Sequence, residues 1–300
     1  MVAIDIQNLS KSFPKVQALN KVSFKVDEAE LFGLIGPDGA GKTTLFRLLT
    51  SLYLPDSGKL EIFGQDVVES YVEIRKHLGY MPGKFSLYQD LSVEENLKFF
   101  AAVFGTKIED NYELIADIYK MLEPFKKRRA GKLSGGMKQK LALSCALIHR
   151  PKILLLDEPT TGVDAVSRKE FWEMLKRLKS FGITILVSTP YMDEASLCDR
   201  VALIKDGSIL QCDTPVRIPL AFSSVLFGLK SKRMYELVSF LRKQSVAKSA
   251  YLFGQEIHFA SNNPNLTIAE LLEILQNNGF EDAECEIIEP TIEDRFMELI

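Results

Sequence analysis

The chain is poor in the residues that form metal centres and disulfide frameworks. It has only four cysteines and three histidines among its 300 residues. The cysteines are too scattered for a zinc-ligand spacing or for a framework of disulfides, and this fits a reducing cytosol. They are Cys145, Cys198, Cys212 and Cys285.

Long apolar runs and an excess of positive charge are also missing. No apolar stretch approaches the roughly 18–20 residues that a helix needs to span a bilayer. The charged residue Asp5 interrupts the N-terminus before the apolar segment of a signal peptide could form, so a signal peptide is not predicted. The net charge of −3 argues against a nucleic-acid partner, because phosphate contacts normally need a basic surface.

The residues that are present indicate a folded α/β protein in the first two thirds of the chain. Hydrophobic residues make up 46% and charged residues 26%, which excludes disordered and fibrous classes. Short apolar runs alternate with helical stretches and predict a largely parallel sheet covered on both faces. Buried strands are predicted at residues 31–36, 152–157, 183–188 and 201–207, and half-buried strands at 3–9 and 21–26.

A helical insertion and a change of pattern near Pro215 indicate the domain organisation. Residues 92–149 interrupt the alternation and predict a helical subdomain at about residues 84–149. We expect a first domain over residues 1–217 and a small α+β accessory domain over residues 218–300.

The predicted second domain follows the order strand-helix-strand-strand-helix-strand, which is the ferredoxin-like order. A turn at Gly254-Gln255 is expected to join the two middle strands as a hairpin. The predicted strands are 223–230, 247–253, 255–260 and 283–288, and the predicted helices are 232–243, 267–277 and 291–299.

The strongest local motif is a phosphate-binding loop at residues 36–43. The run GPDGAGKT fits G-x-x-x-x-G-K-[ST] and lies between a buried strand and a helix, as this motif requires. Its backbone N–H groups and the positive end of the following helix favour phosphate oxygens. We expect Lys42 to reach the β- and γ-phosphates and the Thr43 hydroxyl to hold Mg²⁺. The predicted nucleotide-binding residues here are Gly36, Pro37, Asp38, Gly39, Ala40, Gly41, Lys42, Thr43 and Thr44.

A second motif narrows the choice among kinases, GTPases, helicases and transporters, all of which can contain such a loop. The run LLLDEP delivers two carboxylates to the end of a buried strand, where ligands bind in open α/β sheets. Asp157 suits a Mg²⁺ ligand, and Glu158 suits a general base for the attacking water.

The deciding motif is LSGGMKQ at residues 133–139. Ser134 is predicted to cap a helix, and Gly135 and Gly136 expose N–H groups at its start. We therefore expect a second phosphate-binding helix terminus, separate from the first loop.

Together these motifs resemble the nucleotide-binding subunits of ABC transporters. GPDGAGKT, LSGGMKQ, ILLLDEP and the D-loop TGVD at residues 161–164 occur in the order and spacing of that family, and the resemblance covers residues 1–217. YMPGKFSLYQDLSVEENL and the C-terminal extension look most like exporter subunits of the drug-resistance type. The resemblance implies a P-loop NTPase core of ABC ATPase type with an antiparallel β subdomain, and it places Phe13 where the family stacks an aromatic on adenine.

The resemblance also implies ATP and Mg²⁺ as ligands, and a shared mechanism. Two such subunits dimerise head to tail, and each ATP lies between the P-loop of one subunit and the signature of the other. Permease subunits in the inner membrane convert closing and opening of the dimer into transport, contacting the helical insertion near residues 84–95. The chain is then cytoplasmic and peripheral on the membrane.

Two residues depart from the family pattern. The family has a Gln after YMP, where this chain has Gly83, and a His in the turn after ILVST, where it has Pro190. The only histidines are His77, His149 and His258, which are all remote from that turn. We therefore expect this chain's own site to bind ATP and to hydrolyse it poorly, although Glu158 is retained.

Other functions remain open at this stage. A regulatory ATP-dependent clamp that dimerises without transport would also fit the two missing side chains. Soluble ABC ATPases of translation or DNA repair carry two ATPase halves or a long coiled-coil insertion, and neither is seen here. A kinase or a GTPase function would not account for the presence of the LSGGM motif.

Overall fold

The computed structural model describes residues 1–300 and divides them into two units, Met1–Pro215 and Val216–Ile300. The division falls just before the expected boundary at residue 217. The reason is a short helix at Arg217–Leu220, which packs against the last helix of the second unit. None of the helices is both long enough and apolar enough to cross a bilayer.

An antiparallel sheet forms the first layer of the first unit. Its first strand is longer than the sequence predicts, because a bulge at Asn8, with φ of +48°, breaks the alternation of that strand. Its second strand begins at Val16, before the predicted start at residue 21, and Lys21 within it also has φ of +48°. The strand order is β2-β1-β4-β5, with β1 at Val2–Phe13, β2 at Val16–Asp27, β4 at Ser57–Ile62 and β5 at Gln65–Asp66.

A six-stranded sheet forms the second layer, and five of its strands are parallel. The order is β10-β9-β3-β8-β7-β6, and only the edge strand β10 runs antiparallel to its neighbour. The fully buried strands were predicted from their apolar runs, whereas β6 and β10 were not. The strands are β3 at Leu31–Ile35, β6 at Leu78–Met81, β7 at Ile153–Asp157, β8 at Thr184–Thr189, β9 at Arg200–Lys205 and β10 at Ser208–Asp213.

Helices cover the parallel sheet and form the insertion. The insertion consists mainly of α3, α4 and α5, and both α3 and α4 pack against α5. A capping box between Ser92 and Glu95 starts α3. The helices are α1 at Lys42–Leu49, α2 at Tyr71–Lys76, α3 at Val93–Val103, α4 at Tyr112–Leu122, α5 at Gly135–Leu147 and α6 at Ala165–Ser180.

The second unit has the predicted ferredoxin-like topology around a core of its own. Its antiparallel sheet has the order β12-β13-β11-β14, and Gly254, with φ of +57°, turns the hairpin between β12 and β13. The elements are α7 at Arg217–Leu220, β11 at Leu226–Lys230, α8 at Met234–Leu241, β12 at Ala247–Phe253, β13 at Glu256–Ser261, α9 at Ile268–Gln276, β14 at Glu284–Ile287 and α10 at Ile292–Leu299.

Candidate nucleotide-binding site

The phosphate-binding loop connects β3 to α1, and its glycines are sterically required. Gly39 and Gly41 have φ of +80° and +105°, a region that side chains rarely adopt. A Cβ at Gly41 would lie 2.4 Å from the carbonyl oxygen of Ala18, and one at Gly36 would lie 2.1 Å from that of Ile204. The loop can therefore follow this path only with glycine at these positions.

Lys42 connects the loop to the acidic end of the neighbouring strands. Its side chain is 3% exposed, and its Nζ donates hydrogen bonds to the carbonyl oxygens of Gly36 at 2.8 Å and Pro37 at 2.9 Å. The same Nζ lies 3.1 Å from Glu158 Oε1. The predicted phosphate-binding cation and the predicted base therefore meet at one point.

A pocket of about 420 Å³ lies over this point, a volume typical of small-molecule sites. Phe13 at its rim is 37% exposed, and its ring packs edge-to-face on Tyr53, with centroids 5.6 Å apart. Gly36, Pro37, Asp38 and Ala40 belong to the loop but do not line the pocket. The predicted residues that do line it are Phe13, Gly39, Gly41, Lys42, Thr43, Thr44 and Glu158.

Ser188 on β8 holds the Asp157 carboxylate and the Glu158 backbone at the end of β7. Its hydroxyl donates to Asp157 Oδ1 at 2.8 Å and accepts a hydrogen bond from the Glu158 backbone N–H at 3.0 Å. Glu158 itself has φ of +50°, an uncommon conformation for this residue, at the point where the chain leaves the sheet. Burial, together with the nearby charge of Asp157, raises the pKa of Tyr80 to about 12.

The oxygen ligands available here suit Mg²⁺. Asp157 is 2% exposed and presents a carboxylate, and Thr43 presents a hydroxyl in the pocket. Hard oxygen donors of this kind are what Mg²⁺ binds in phosphate-handling sites. No group of three or more His, Cys, Asp or Glu side chains forms an alternative metal site in the chain.

The signature motif starts α5, as predicted, but it lies apart from this pocket. The Ser134 hydroxyl caps the helix by accepting a hydrogen bond from Met137 N at 3.4 Å. A Cβ at Gly136 would lie 2.7 Å from Ser167 Oγ, so α5 and the start of α6 approach closely there. None of Ser134, Gly135 and Gly136 lines the pocket around Lys42.

Comparison with known proteins identifies the family. The family described as "ABC transporter" matches residues 19–161. A Nod factor export ATP-binding protein I from a Rhizobium species is 41% identical over 217 residues, which are 71% of this chain and 71% of that protein. The chain belongs to the ABC transporter family.

Other ABC proteins agree with this membership. The probable multidrug ABC transporter ATP-binding protein YbhF of Escherichia coli is 42% identical over 71% of this chain, which spans only 37% of the length of that protein. A solved ATP-binding subunit of an ABC transporter superimposes with a TM-score of 0.66 at 27% identity, covering 73% of this chain and 92% of that one. The predicted family and the P-loop NTPase fold of ABC type are confirmed.

A dimeric ABC cassette in a post-hydrolysis state with ADP and phosphate is also similar. It superimposes with a TM-score of 0.63 at 25% identity and covers 70% of this chain and 98% of its own.

The two departures from the ABC motif pattern both lie at the site. A Cβ on Gly83 would lie 3.0 Å from the Asp157 carbonyl oxygen and 3.8 Å from Asp157 Oδ2. Pro190 directly follows Thr189, whose carbonyl oxygen accepts a hydrogen bond from Gly36 N at 3.2 Å. Neither residue carries a polar side chain at its position.

Sequence reasoning missed several residues that shape this ABC site. Ser188, Tyr80 and Thr189 lie in the segments ILVST and YMPGKF quoted above, but no role was predicted for them, and their roles follow from contacts between neighbouring strands. The available signal is the Ser188-Thr189 pair at the end of a buried strand, where polar side chains in α/β sheets face ligands.

Proposed function

We propose that this chain is the ATP-binding, energy-coupling subunit of an ABC exporter. In this role it binds MgATP, pairs head to tail with a second ATP-binding subunit and drives a separate permease. The observation that carries the proposal is the pocket in which Lys42 Nζ lies 3.1 Å from Glu158 Oε1. The exporter direction rests on the similarity to the Nod factor export ATP-binding protein I.

The separation of the signature from the P-loop pocket supports the head-to-tail dimer. The α5 N-terminus, with its cap at Ser134, offers free N–H groups and a positive dipole end to an anion. Because it does not line the pocket of its own chain, we expect it to contact a nucleotide held by a second subunit, and the partner's signature to complete this chain's site.

Five polar residues at the site then have defined tasks. Lys42 neutralises phosphate charge, and Glu158 accepts a proton from the attacking water. Thr43 and Asp157 would hold Mg²⁺, which supplies charge neutralisation when it is bound. Ser188 keeps Asp157 in place through its 2.8 Å hydrogen bond.

The chemistry at this chain's own site is expected to be slow. Gly83 offers no amide beside Asp157, and Pro190 offers neither a side-chain donor nor a backbone N–H next to the P-loop. Removing one charge-stabilising donor costs about 10²–10³ in rate. The site is therefore proposed to bind ATP well and to hydrolyse it poorly.

The permease contact is proposed for an apolar groove of about 320 Å³ between the parallel sheet and the helical insertion. Its walls include Leu52, Met81, Leu87 and Phe104, and it adjoins the segment at residues 84–95. A short amphipathic helix of a membrane subunit would fit such a groove. This contact would hold the chain on the cytoplasmic face of the membrane.

Co-purification in detergent with the permease tests this contact. Leu52, which is 58% exposed, is replaced by Asp to place a charge in the groove. Leu52→Asp is expected to lose the membrane protein and to retain ATP affinity. Tyr235→Asp, a change at an 80% exposed position of the second unit, is the matched control and should retain both.

A regulatory ATP-dependent clamp is the second candidate, and Gly83 and Pro190 are the observations that favour it. A clamp would bind ATP and dimerise, but it would not co-purify with any polytopic membrane protein. The same detergent experiment therefore separates the two functions.

A further inference from the structure

A buried carboxylate next to the nucleotide site is used by none of the motifs. Glu194 lies in the short 3-10 helix at Met192–Leu197, shortly after Pro190. Its side chain is 2% exposed. A buried carboxylate is costly unless other groups satisfy it, so its partners indicate what it holds in place.

One oxygen of Glu194 joins two segments that flank the site. Glu194 Oε2 accepts hydrogen bonds from Thr189 Oγ1 at 2.5 Å and from Thr160 Oγ1 at 3.1 Å. Thr189 ends β8 and lies directly before Pro190, and Thr160 lies two positions after Glu158. The carboxylate therefore ties the turn after β8 to the segment that follows the proposed base.

The other oxygen of Glu194 faces the helix that follows the D-loop. Glu194 Oε1 accepts no hydrogen bond, and Arg168 Nε on α6 lies 3.8 Å from it. The Arg168 guanidinium also lies 3.5 Å from Asp193 Oδ2 and 5.0 Å from the centre of the Tyr191 ring. The start of α6 is thereby connected to the same turn.

Thr189 extends these connections to the P-loop. Its hydroxyl accepts a hydrogen bond from Tyr191 N at 3.1 Å, and its carbonyl oxygen accepts one from Gly36 N at 3.2 Å. Pro190, between these two contacts, has no N–H to give and no polar side chain. The turn after β8 is therefore held by the hydrogen bonds of Thr189 and not by Pro190 itself.

We propose that Glu194 is a positioning residue for ATP hydrolysis at this site. Its carboxylate holds the turn after β8 and the segment behind Glu158 in one arrangement, so that P-loop and base face each other. Glu194 does not line the pocket and acts through Thr189 and Thr160. The inference rests on the proposed ATPase function of this chain's own site.

Three variants of the full-length chain test the role: Thr189→Val, Thr160→Val and Glu194→Gln. ATP affinity is measured by titration, and hydrolysis is measured with labelled ATP at saturating MgATP. We expect kcat to fall about tenfold or more in each variant, because small displacements of catalytic groups are costly. ATP affinity should stay within about twofold, since none of these residues lines the pocket.

Thr184→Val is the matched control on the same strand. Thr184 begins β8, is buried and accepts a hydrogen bond from Ala29 N at 3.0 Å, remote from the turn. The Thr184→Val substitution removes a buried hydroxyl comparable to that of Thr189, and it should lower thermal stability while leaving kcat unchanged. Thr189→Ser keeps the hydroxyl and should retain the hydrolysis rate.

The outcomes separate this role from the proposed function. If the three variants hydrolyse ATP like Thr184→Val and lose only stability, Glu194 is a structural ion-pair residue and the positioning role is wrong. The double variant that combines Thr160→Val with Glu194→Gln completes the cycle: if the two effects on the free energy of activation simply add, the two residues do not act together, which also overturns the positioning role. If the unaltered chain hydrolyses no faster than Lys42→Ala, the hydrolytic function of this site itself fails.

Discussion

Lys42 is the residue on which we propose that nucleotide binding depends most directly. It contacts two loop carbonyl oxygens and Glu158, and a nucleotide phosphate would compete for the same ammonium group. We expect Lys42→Ala to weaken MgATP binding by about one to two decades, because a charge-assisted contact contributes about 1.5–3 kcal/mol. Titration with a fluorescent ATP analogue measures this. Lys25→Ala, which removes an exposed lysine paired with Asp5, should bind as the unaltered chain does, and unchanged affinity in Lys42→Ala would contradict the site.

Gly83 and Pro190 should differ in how readily a polar side chain can be restored. Pro190→His adds a donor beside the P-loop and is expected to raise the hydrolysis rate tenfold or more. Gly83→Gln is expected to give a smaller gain, because its Cβ would press on the Asp157 carbonyl oxygen at 3.0 Å.

Gly83→Ala separates crowding from chemistry in this measurement. It adds the same Cβ without an amide, so it should slow hydrolysis slightly or leave it unchanged. If neither restoring substitution raises the steady-state rate above that of the unaltered chain, these two residues are not the reason for slow turnover.

At the scale of elements, α10 is attached to the sheet of the second unit by an ion pair that depends on pH. His258 Nδ1 on β13 lies 2.6 Å from Asp294 Oδ1 on α10, and Glu256 Oε1 lies 3.6 Å from the other ring nitrogen. Burial alone would lower the pKa of His258, but the two carboxylates more than offset this and raise it above 6.5. Burial likewise opposes ionisation of Asp294, whose pKa is nevertheless lowered by hydrogen bonds from His258 and Thr291.

The raised pKa of His258 predicts how the attachment of α10 depends on pH. A raised histidine pKa means that the stabilisation is fully present below about pH 6.5 and is lost as the pH rises through the higher pKa of the folded state. Protection of the α10 amides from hydrogen exchange should therefore fall as the pH rises above about 6.5 and through the raised pKa of His258. His258→Gln should show low protection across that range, and an unchanged pH profile in that variant would refute the coupling. Thr267→Ala, at the start of α9, is the control for a lost helix cap.

The sequence predicts the elements whose pattern is local, and misses those that depend on partners. Apolar runs predict β3, β7 and β8, and the strand-helix order predicts the topology of the second unit. The β1 strand was predicted too short because of the Asn8 bulge, and α7 was missed because it is a four-residue helix containing Pro219. At the site, motifs predict Lys42 and Glu158 as separate residues, but not the contact that they make with each other. They also do not predict the hydrogen bonds of the buried Glu194, because these contacts join segments that are distant in sequence.

At the scale of the whole assembly, two unlike sites are expected if the partner subunit keeps the Gln and the His. This chain's Ser134 then serves the faster site, and its Glu158 serves the slower one. Ser134→Arg should abolish ATPase activity of the reconstituted complex, because a bulky cation blocks the helix terminus. Glu158→Gln should barely lower it.

Steady-state ATPase measurements on both complexes decide the matter. Ser180→Arg, at an exposed position, is the control for adding a cation and should leave the activity unchanged. If Glu158→Gln stops turnover as completely as Ser134→Arg does, this chain's own site is fully competent and the asymmetric reading is wrong.

The two units have separate hydrophobic cores, so nucleotide binding should survive without the second. A chain ending at Pro215 keeps the P-loop, both carboxylates and the signature. We expect its MgATP affinity to lie within about twofold of the full-length value in the same titration. A truncated chain that is folded by circular dichroism and yet fails to bind would show that the second unit contributes to the site.

The contact between α7 and α10 brings the first and last elements of the second unit together. Ser223, shortly after α7, donates a hydrogen bond to Glu298 on α10, whose carboxylate also pairs with Lys248. The first and last helices of this unit thus meet, and the unit closes around a core of its own. No sheet is shared between the two units. Evolution could therefore vary it independently of the catalytic core, without rerouting a strand in either one.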